Sequence, residues 1–183
     1  MRIAGGRLRG RLLKAPSSDR VRPTSDRNRE AVFNILSNRI DFDGLRVIDL
    51  FAGTGALGIE AISRGATFAL FVEMAAESRA LIRANVESLA LTGSTQIFRR
   101  DATRLGDIGT MWPFDLAFAD PPYGKDLGVA AASSLATGGW LKPGAMLVLE
   151  EAANAAPLSL PGFELQDSRT AGAASLSIFA FGG

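Results

Sequence analysis

Short apolar runs recur along the chain, each separated from the next by room for a helix. Leu45 to Phe51, Thr67 to Val72, Thr95 to Arg99, Phe114 to Ala119 and Ala145 to Leu149 are the candidates. Near-continuous apolar runs of this length are the pattern of strands buried on both faces. Between them, a glycine turn over Ala52 to Gly58 leads into a helix ending near Arg64, with Gly65 as its C′ residue. Ala75 to Leu89, with Leu81 and Ile82 facing inward, and Leu127 to Leu135 predict two more helices. An earlier helix opens in Arg22 to Arg27, where Thr24 or Ser25 serves as cap and Asp26 sits in the positive first turn. Val32, Phe33, Leu36 and Ile40 follow its period, and Asp41 to Gly44 ends it. Phe163 to Arg169 and Ser175 to Phe181 predict a closing antiparallel pair. Strands alternating with helices in this way predict an α/β fold, doubly wound around a mostly parallel sheet.

The first residues break this pattern. Arg2 to Lys14 interleaves Ile3, Leu8 and Leu12 with arginines, and Gly5-Gly6 and Gly10 permit turns. This predicts a basic β-hairpin or ribbon over residues 1–21, ahead of a main domain over residues 22–183. Charge sharpens the division. Residues 1–30 hold nine Lys or Arg against three acids, a balance of +6, and the remainder holds eleven against sixteen, a balance of −5. A basic arm on an acidic body suits a polyanionic partner, and a solvated surface hairpin is the plainer alternative. The bias toward Arg favours phosphate recognition, because the guanidinium fork matches it. Arg2, Arg7, Arg9, Arg11, Arg22 and Arg27, with Thr24 among them, are the candidate contacts.

Composition removes several chemistries. The 183 residues include no Cys and no His. That excludes a disulfide framework, a thiol nucleophile, a Cys-zinc site and an imidazole base. No metal is expected. No apolar run is long enough to span a membrane, so a soluble, cytoplasmic protein is expected; a monomer is expected as well.

The remaining chemistry collects where strands end. Gly53-x-Gly55-x-x-Gly58, with Glu73 twenty residues past Gly53, fits a nucleotide-type fingerprint. Nicotinamide or flavin dinucleotides and S-adenosylmethionine share it. Asp49 lies within the strand, where a carboxylate crowds a pyrophosphate but suits an ammonium and a sulfonium. Asp101-Ala102 offers an acceptor and a backbone group to an adenine edge. Both acids also admit structural roles, Asp49 tying down the loop and Asp101 capping a short helix. Phe114 to Ala119 runs into Asp120-Pro121-Pro122-Tyr123, whose prolines stop the ladder and leave a carboxylate beside an aromatic ring. With the Pro121 carbonyl, Asp120 can hold both hydrogens of an exocyclic amino group while Tyr123 stacks on the ring that bears it.

These residues resemble the amino-group branch of the class I S-adenosylmethionine methyltransferases. Arg2-Ile3-Ala4-Gly5-Gly6, Arg9-Gly10-Arg11, Arg22 to Glu30 and Phe33-Asn34-Ile35-Leu36 narrow the resemblance to the bacterial 16S rRNA guanine-N2 methyltransferase family, which modifies guanine 966 in the RNA's own numbering. It implies a seven-stranded sheet and a cofactor site at Asp49, Phe51, Gly53, Gly55, Glu73, Asp101 and Ala102. It also implies a flipped guanine at Asp120 to Tyr123, and 16S rRNA or a small-subunit assembly intermediate as partner. Asn28 stands where the family has an apolar residue, and the tail from Thr170 lacks the family's aromatic and basic residues. The competing readings are an amino-methyltransferase acting on adenine, cytosine or a protein glutamine, a dinucleotide-dependent oxidoreductase, and a non-catalytic RNA-binding protein. The arm is expected to dock RNA and to stand apart from the cofactor site.

Overall fold

Buried strands with no polar face need cover on both sides, and the chain supplies it with helices. The computed structural model describes residues 1–16, 26–123, 126–155 and 158–183. In chain order the elements are α1 (Asp26–Ser37), β1 (Arg46–Leu50), α2 (Ala56–Ser63), β2 (Phe68–Val72), α3 (Ala76–Ser88), β3 (Thr95–Phe98), β4 (Phe114–Ala119), α4 (Leu127–Thr137), β5 (Leu141–Ala152), β6 (Phe163–Ala171) and β7 (Ala174–Phe181). One-turn 3₁₀ segments precede β3 and follow it, the second at Ala102–Arg104.

The seven strands form one sheet in the order β3-β2-β1-β4-β5-β7-β6. The first five are parallel, and β7 runs antiparallel to both β5 and β6. Chain order reverses between β1 and β4, so the carboxyl ends of these two strands flank the crevice where ligands bind in such sheets. Alternate side chains feed two cores. Val47, Leu116, Phe118 and Val148 pack with α1, α2 and α3 on one face. Ile48, Leu50, Ala117, Leu147 and Leu149 pack with α4 on the other.

Three expectations change. β5 begins at Leu141, four residues before the apolar run, and carries Lys142-Pro143-Gly144 through a register shift against β4. Leu81 is only half-buried, and Val86 joins Ile82 as the inward side of α3. Ile40 lies beyond α1, which ends at Ser37.

The amino-terminal segment doubles back, but without paired strands. One antiparallel bridge joins Arg2 and Leu12. The turn is closed by Arg9 N–H to Gly6 at 3.1 Å and Arg11 N–H to Leu8 at 3.1 Å. Arg7, Arg9 and Arg11 therefore do not share a face by strand alternation, although all three are exposed. Apolar side chains set the segment's position. Ile3, Leu8 and Leu13 join the core of α1 and α2, whereas Leu12 is 62% exposed. The segment lies across α1, α2 and α3 rather than on a sheet edge, and its described part shares one core with the body.

Candidate active site

The loop after β1 turns through left-handed backbone at Phe51 (φ 56°), Gly53 (φ 58°) and Gly55 (φ 78°). A phenylalanine in that conformation is strained by about 1–3 kcal/mol, a cost characteristic of ligand clamps. Three residues on, a side chain at Gly58 has no room: a Cβ there would lie 2.5 Å from the Phe71 ring. Gly58 thus lets α2 lie directly on β2, and the loop is carried on that contact.

Two carboxylates shape the loop from below and beside it. Glu73, just past β2, accepts Gly53 N–H at 3.0 Å and Ala75 N–H at 2.8 Å. A carboxylate has about four acceptor positions, so Glu73 keeps capacity for ligand hydroxyls. Asp49, 1% exposed, accepts Gly58 N–H at 2.9 Å. Burial pushes the Asp49 carboxyl well above the usual carboxylate range; the Gly58 hydrogen bond opposes this, and neighbouring Asp120 and Glu73 push it further. The edge therefore gathers three acids whose charges repel. A cationic ligand relieves that repulsion, and a pyrophosphate adds to it.

Asp120 follows Ala119, the last residue of β4, which is in register with Leu50 of β1 and Leu149 of β5. The carboxylate is thereby placed between the glycine loop and the end of β5, half-buried. Pro121 is buried and Pro122 exposed. Tyr123 curls back across β5, and its hydroxyl donates to Glu150 Oε1 at 2.9 Å. Sequence reasoning left Glu150 out. Its signal was an acid directly after the apolar run of β5, at the same edge as the other site acids.

Asp101 sits beyond β3 and takes the capping geometry. Its Oδ1 accepts Thr103 N–H at 2.8 Å and the Thr103 hydroxyl at 2.7 Å. Those bonds, the hydroxyl's first, hold its carboxyl below the usual range. Ala102 behind it is buried, and Asp101 itself is exposed. The cluster of Asp49, Phe51, Gly53, Gly55, Glu73 and Asp120 is brought together, with Asp101 and Ala102 one strand further out.

The basic candidates divide. Arg2, Arg7, Arg9, Arg11 and Arg27 are exposed; Arg22 and Thr24 lie outside the described residues, as does the expected cap of α1. Arg29, counted with the arm's charge, is wholly buried and pairs with Asp26 at 3.0 Å and Glu60 at 3.6 Å. Glu60, also wholly buried, accepts Ala4 N–H at 2.9 Å, Gly5 N–H at 2.7 Å and Arg64 Nε at 3.0 Å. The arm is also joined to the glycine loop. Buried Asn85 accepts Lys14 N–H at 2.7 Å and donates to the Thr54 carbonyl at 3.0 Å.

A concavity of about 620 Å³ lined by Gly6, Ser37, Arg39, Phe42 and Arg64 lies at the opposite, amino-terminal edge of the sheet, away from this chemistry. Among the described residues, no cluster of three or more Asp, Glu, His or Cys is arranged to hold a metal ion. No helix among them is long and apolar enough to cross a membrane. The residues at the carboxyl edge fit S-adenosylmethionine: an acid for ribose hydroxyls, a loop open to close approach, and negative charge gathered for a sulfonium and an ammonium.

Residues 1–180 match the family model described as Conserved hypothetical protein 95. Over 183 residues the chain is 35% identical to Ribosomal RNA small subunit methyltransferase D of Escherichia coli (strain K12), covering 98% of this chain and 89% of that protein. It is 30% identical to the protein of the same name in Haemophilus influenzae over 181 residues, covering 98% and 93%. The solved structure of the Escherichia coli yhhF protein superimposes with a TM-score of 0.85 at 30% identity, covering 100% of this chain and 98% of that chain.

Proposed function

The chain belongs to the Conserved hypothetical protein 95 family, and from that premise we propose that it transfers a methyl group from S-adenosylmethionine to the N2 amino group of a guanine in small-subunit ribosomal RNA. The expected target is guanine 966 of 16S rRNA. The observation that carries this reading is the gathering of Asp49, Glu73 and Asp120 at one sheet edge, where burial first, and then Asp120 and Glu73, raise the cost of charge on Asp49. That edge suits a cationic methyl donor better than a dinucleotide, which supports Asp120 as the group that receives the amino acceptor.

S-adenosylmethionine supplies an activated methyl group on a sulfonium. Glu73 binds the ribose hydroxyls, and Asp49 keeps the loop in shape through Gly58. Asp120 accepts from the amino group's hydrogens and aims the nitrogen lone pair. The Tyr123 ring, held by Glu150 at its hydroxyl, stacks on the base. Positioning and fixed electrostatics account for the rate. The similarity to ribosomal RNA small subunit methyltransferase D supports the RNA substrate. A base in a single-stranded loop turns into such a pocket at low unstacking cost. Residues 1–21 serve as the docking arm of a monomeric, cytoplasmic enzyme.

Labelled S-adenosylmethionine incubated with unmodified small subunits tests the reading. Nucleoside mass spectrometry should find the label in 2-methylguanosine. Label in methylated adenosine, cytidine or protein would overturn it.

The arm makes a separate prediction. Neutralising phosphates gives log K against log salt a slope of about −0.7 per phosphate for single strands. Replacing Arg7, Arg9 and Arg11 together by Ala should flatten that slope by roughly 2 if each touches phosphate. Ile3, Leu8 and Leu13 hold the segment on the core, and among the described residues the side chains replaced add one exposed bond, Arg11 to the Ser88 carbonyl at 3.3 Å, so the melting temperature should hardly move. A triple variant that melts early yet keeps the wild-type salt slope would make the arginines structural.

A further inference from the structure

Glu150, at the carboxyl edge, is an acid that the methyl-transfer reading leaves without a task beyond anchoring Tyr123. β4 and β5 are parallel, with Phe118 level with Val148 and Ala119 level with Leu149. Continuing that register by one residue sets Asp120 beside Glu150, about 4.8 Å apart along the hydrogen-bonding direction. Alternation sends the Glu150 side chain to the face of Val148, the face that carries α1, α2 and the glycine loop. The Tyr123 hydroxyl reaches the same carboxylate at 2.9 Å. One hydrogen bond leaves the two Glu150 oxygens with further acceptor positions. The pocket over which Tyr123 stands thus has two neighbouring carboxylates, both acceptors only.

We propose that Glu150 is the specificity residue of this site and reads the N1–H of the acceptor guanine, while Asp120 takes the adjacent amino group. The inference rests on the guanine reading given above. Its physical basis is the donor pattern along the Watson–Crick edge. Guanine presents N1–H and the N2 amino group side by side, a row of donors that two carboxylates match. Adenine and cytosine present an amino group beside a ring nitrogen that carries a lone pair. Against Glu150 that lone pair meets a carboxylate, so the wrong base is rejected by repulsion as well as by a missing bond. Asp120 cannot make this distinction, because every amino acceptor offers it the same hydrogens. Tyr123, by holding one Glu150 oxygen, sets the rotamer that aims the carboxylate at the base edge.

2-Aminopurine isolates the contact. It keeps the amino group at the methyl-accepting position but carries a lone pair at N1 and lacks the 6-oxo group, so the variant's effect on the ratio, not the ratio alone, reports on Glu150. Small subunits assembled on 16S RNA with either guanine or 2-aminopurine at the target position are compared in single-turnover methylation. Wild-type protein should methylate guanine about a hundredfold faster or more. Glu150→Gln, whose amide offers a donor as well as an acceptor, should slow guanine and bring the two rates within about tenfold. The ratio of ratios cancels the intrinsic difference in reactivity of the two amino groups. S-adenosylhomocysteine affinity, measured alongside, reports that the variant is folded. An unchanged ratio in a folded Glu150→Gln overturns the proposal. So do equal wild-type rates on the two bases, which need no variant. Wild-type protein that labels no guanine at all brings down the guanine reading itself, and this inference with it.

Discussion

Asp120→Ala is expected to lower turnover by about a hundred- to a thousandfold while changing S-adenosylhomocysteine affinity by no more than about threefold. The size is that of removing one fixed electrostatic partner from a site that works by positioning. The split between turnover and cofactor affinity follows from the fold. Asp120 stands past the end of β4, and the glycine loop proposed for the cofactor is held by other groups: Glu73 on Gly53 N–H, Asp49 on Gly58 N–H. Glu73→Ala should show the converse. It strands two backbone donors and removes the acceptor proposed for the ribose, so cofactor binding should weaken by about 1–3 kcal/mol. Asp120→Asn keeps one oxygen and should retain more activity than the alanine variant. Calorimetry with S-adenosylhomocysteine and single-turnover rates on one preparation of each variant decide the matter. Loss of cofactor binding in Asp120→Ala would move Asp120 into the cofactor site, and full turnover would remove it from the reaction.

Much of this site was legible in the chain because its parts lie where local signals are strong. An apolar strand cut off by two prolines leaves Asp120 nowhere to go but the sheet edge, and three glycines at fixed spacing mark a loop followed by a helix. The less legible parts are those decided by tertiary contact. Glu60 looks like an exposed helix residue, yet α2 is buried on all sides, so no face shows which way it points. A single acid in Ala56 to Ser63, with Arg64 four residues on, was the available sign. Leu13 rather than Leu12 faces the core because the segment turns where a ribbon would alternate. Tyr123 was expected to act through its ring alone; the hydroxyl's bond to Glu150 depends on how the Asp120 turn folds over β5. Lys142-Pro143-Gly144 looks like a turn and is instead an irregular start to β5, tolerated because the ladder with β4 shifts register there.

The same buried acid carries the largest expected effect on stability. Glu60→Ala should cost about 3–5 kcal/mol, the scale of breaking a buried ion pair and leaving its partner uncompensated. In a chain of this size that lowers the melting temperature by about 6–20 °C. Three losses coincide. Among the described residues, wholly buried Arg29 then keeps Asp26 and the Arg2 carbonyl, and its Nε and Nη1 have no hydrogen-bond partner there even with Glu60 in place. Ala4 and Gly5 lose the acceptor for both of their N–H groups. Arg64, whose guanidinium lies 5.0 Å from the Phe33 ring centroid, loses its anchor. Arg64→Met should cost much less, because Arg64 is partly exposed and Glu60 keeps its other partners. The amino-terminal segment should feel the change, since Glu60 ties Ala4 and Gly5 to α2 beside the bonds that Ser63 makes to Gly5, Arg7 and Leu8. Trypsin cleavage at Arg7, Arg9 and Arg11 should therefore accelerate in Glu60→Ala below the melting temperature, and RNA affinity should fall with it. Equal melting temperatures for the Glu60 and Arg64 variants, or a cleavage rate that does not change, would mean that the Ser63 and Asn85 bonds with Ile3, Leu8 and Leu13 hold the arm in place without Glu60.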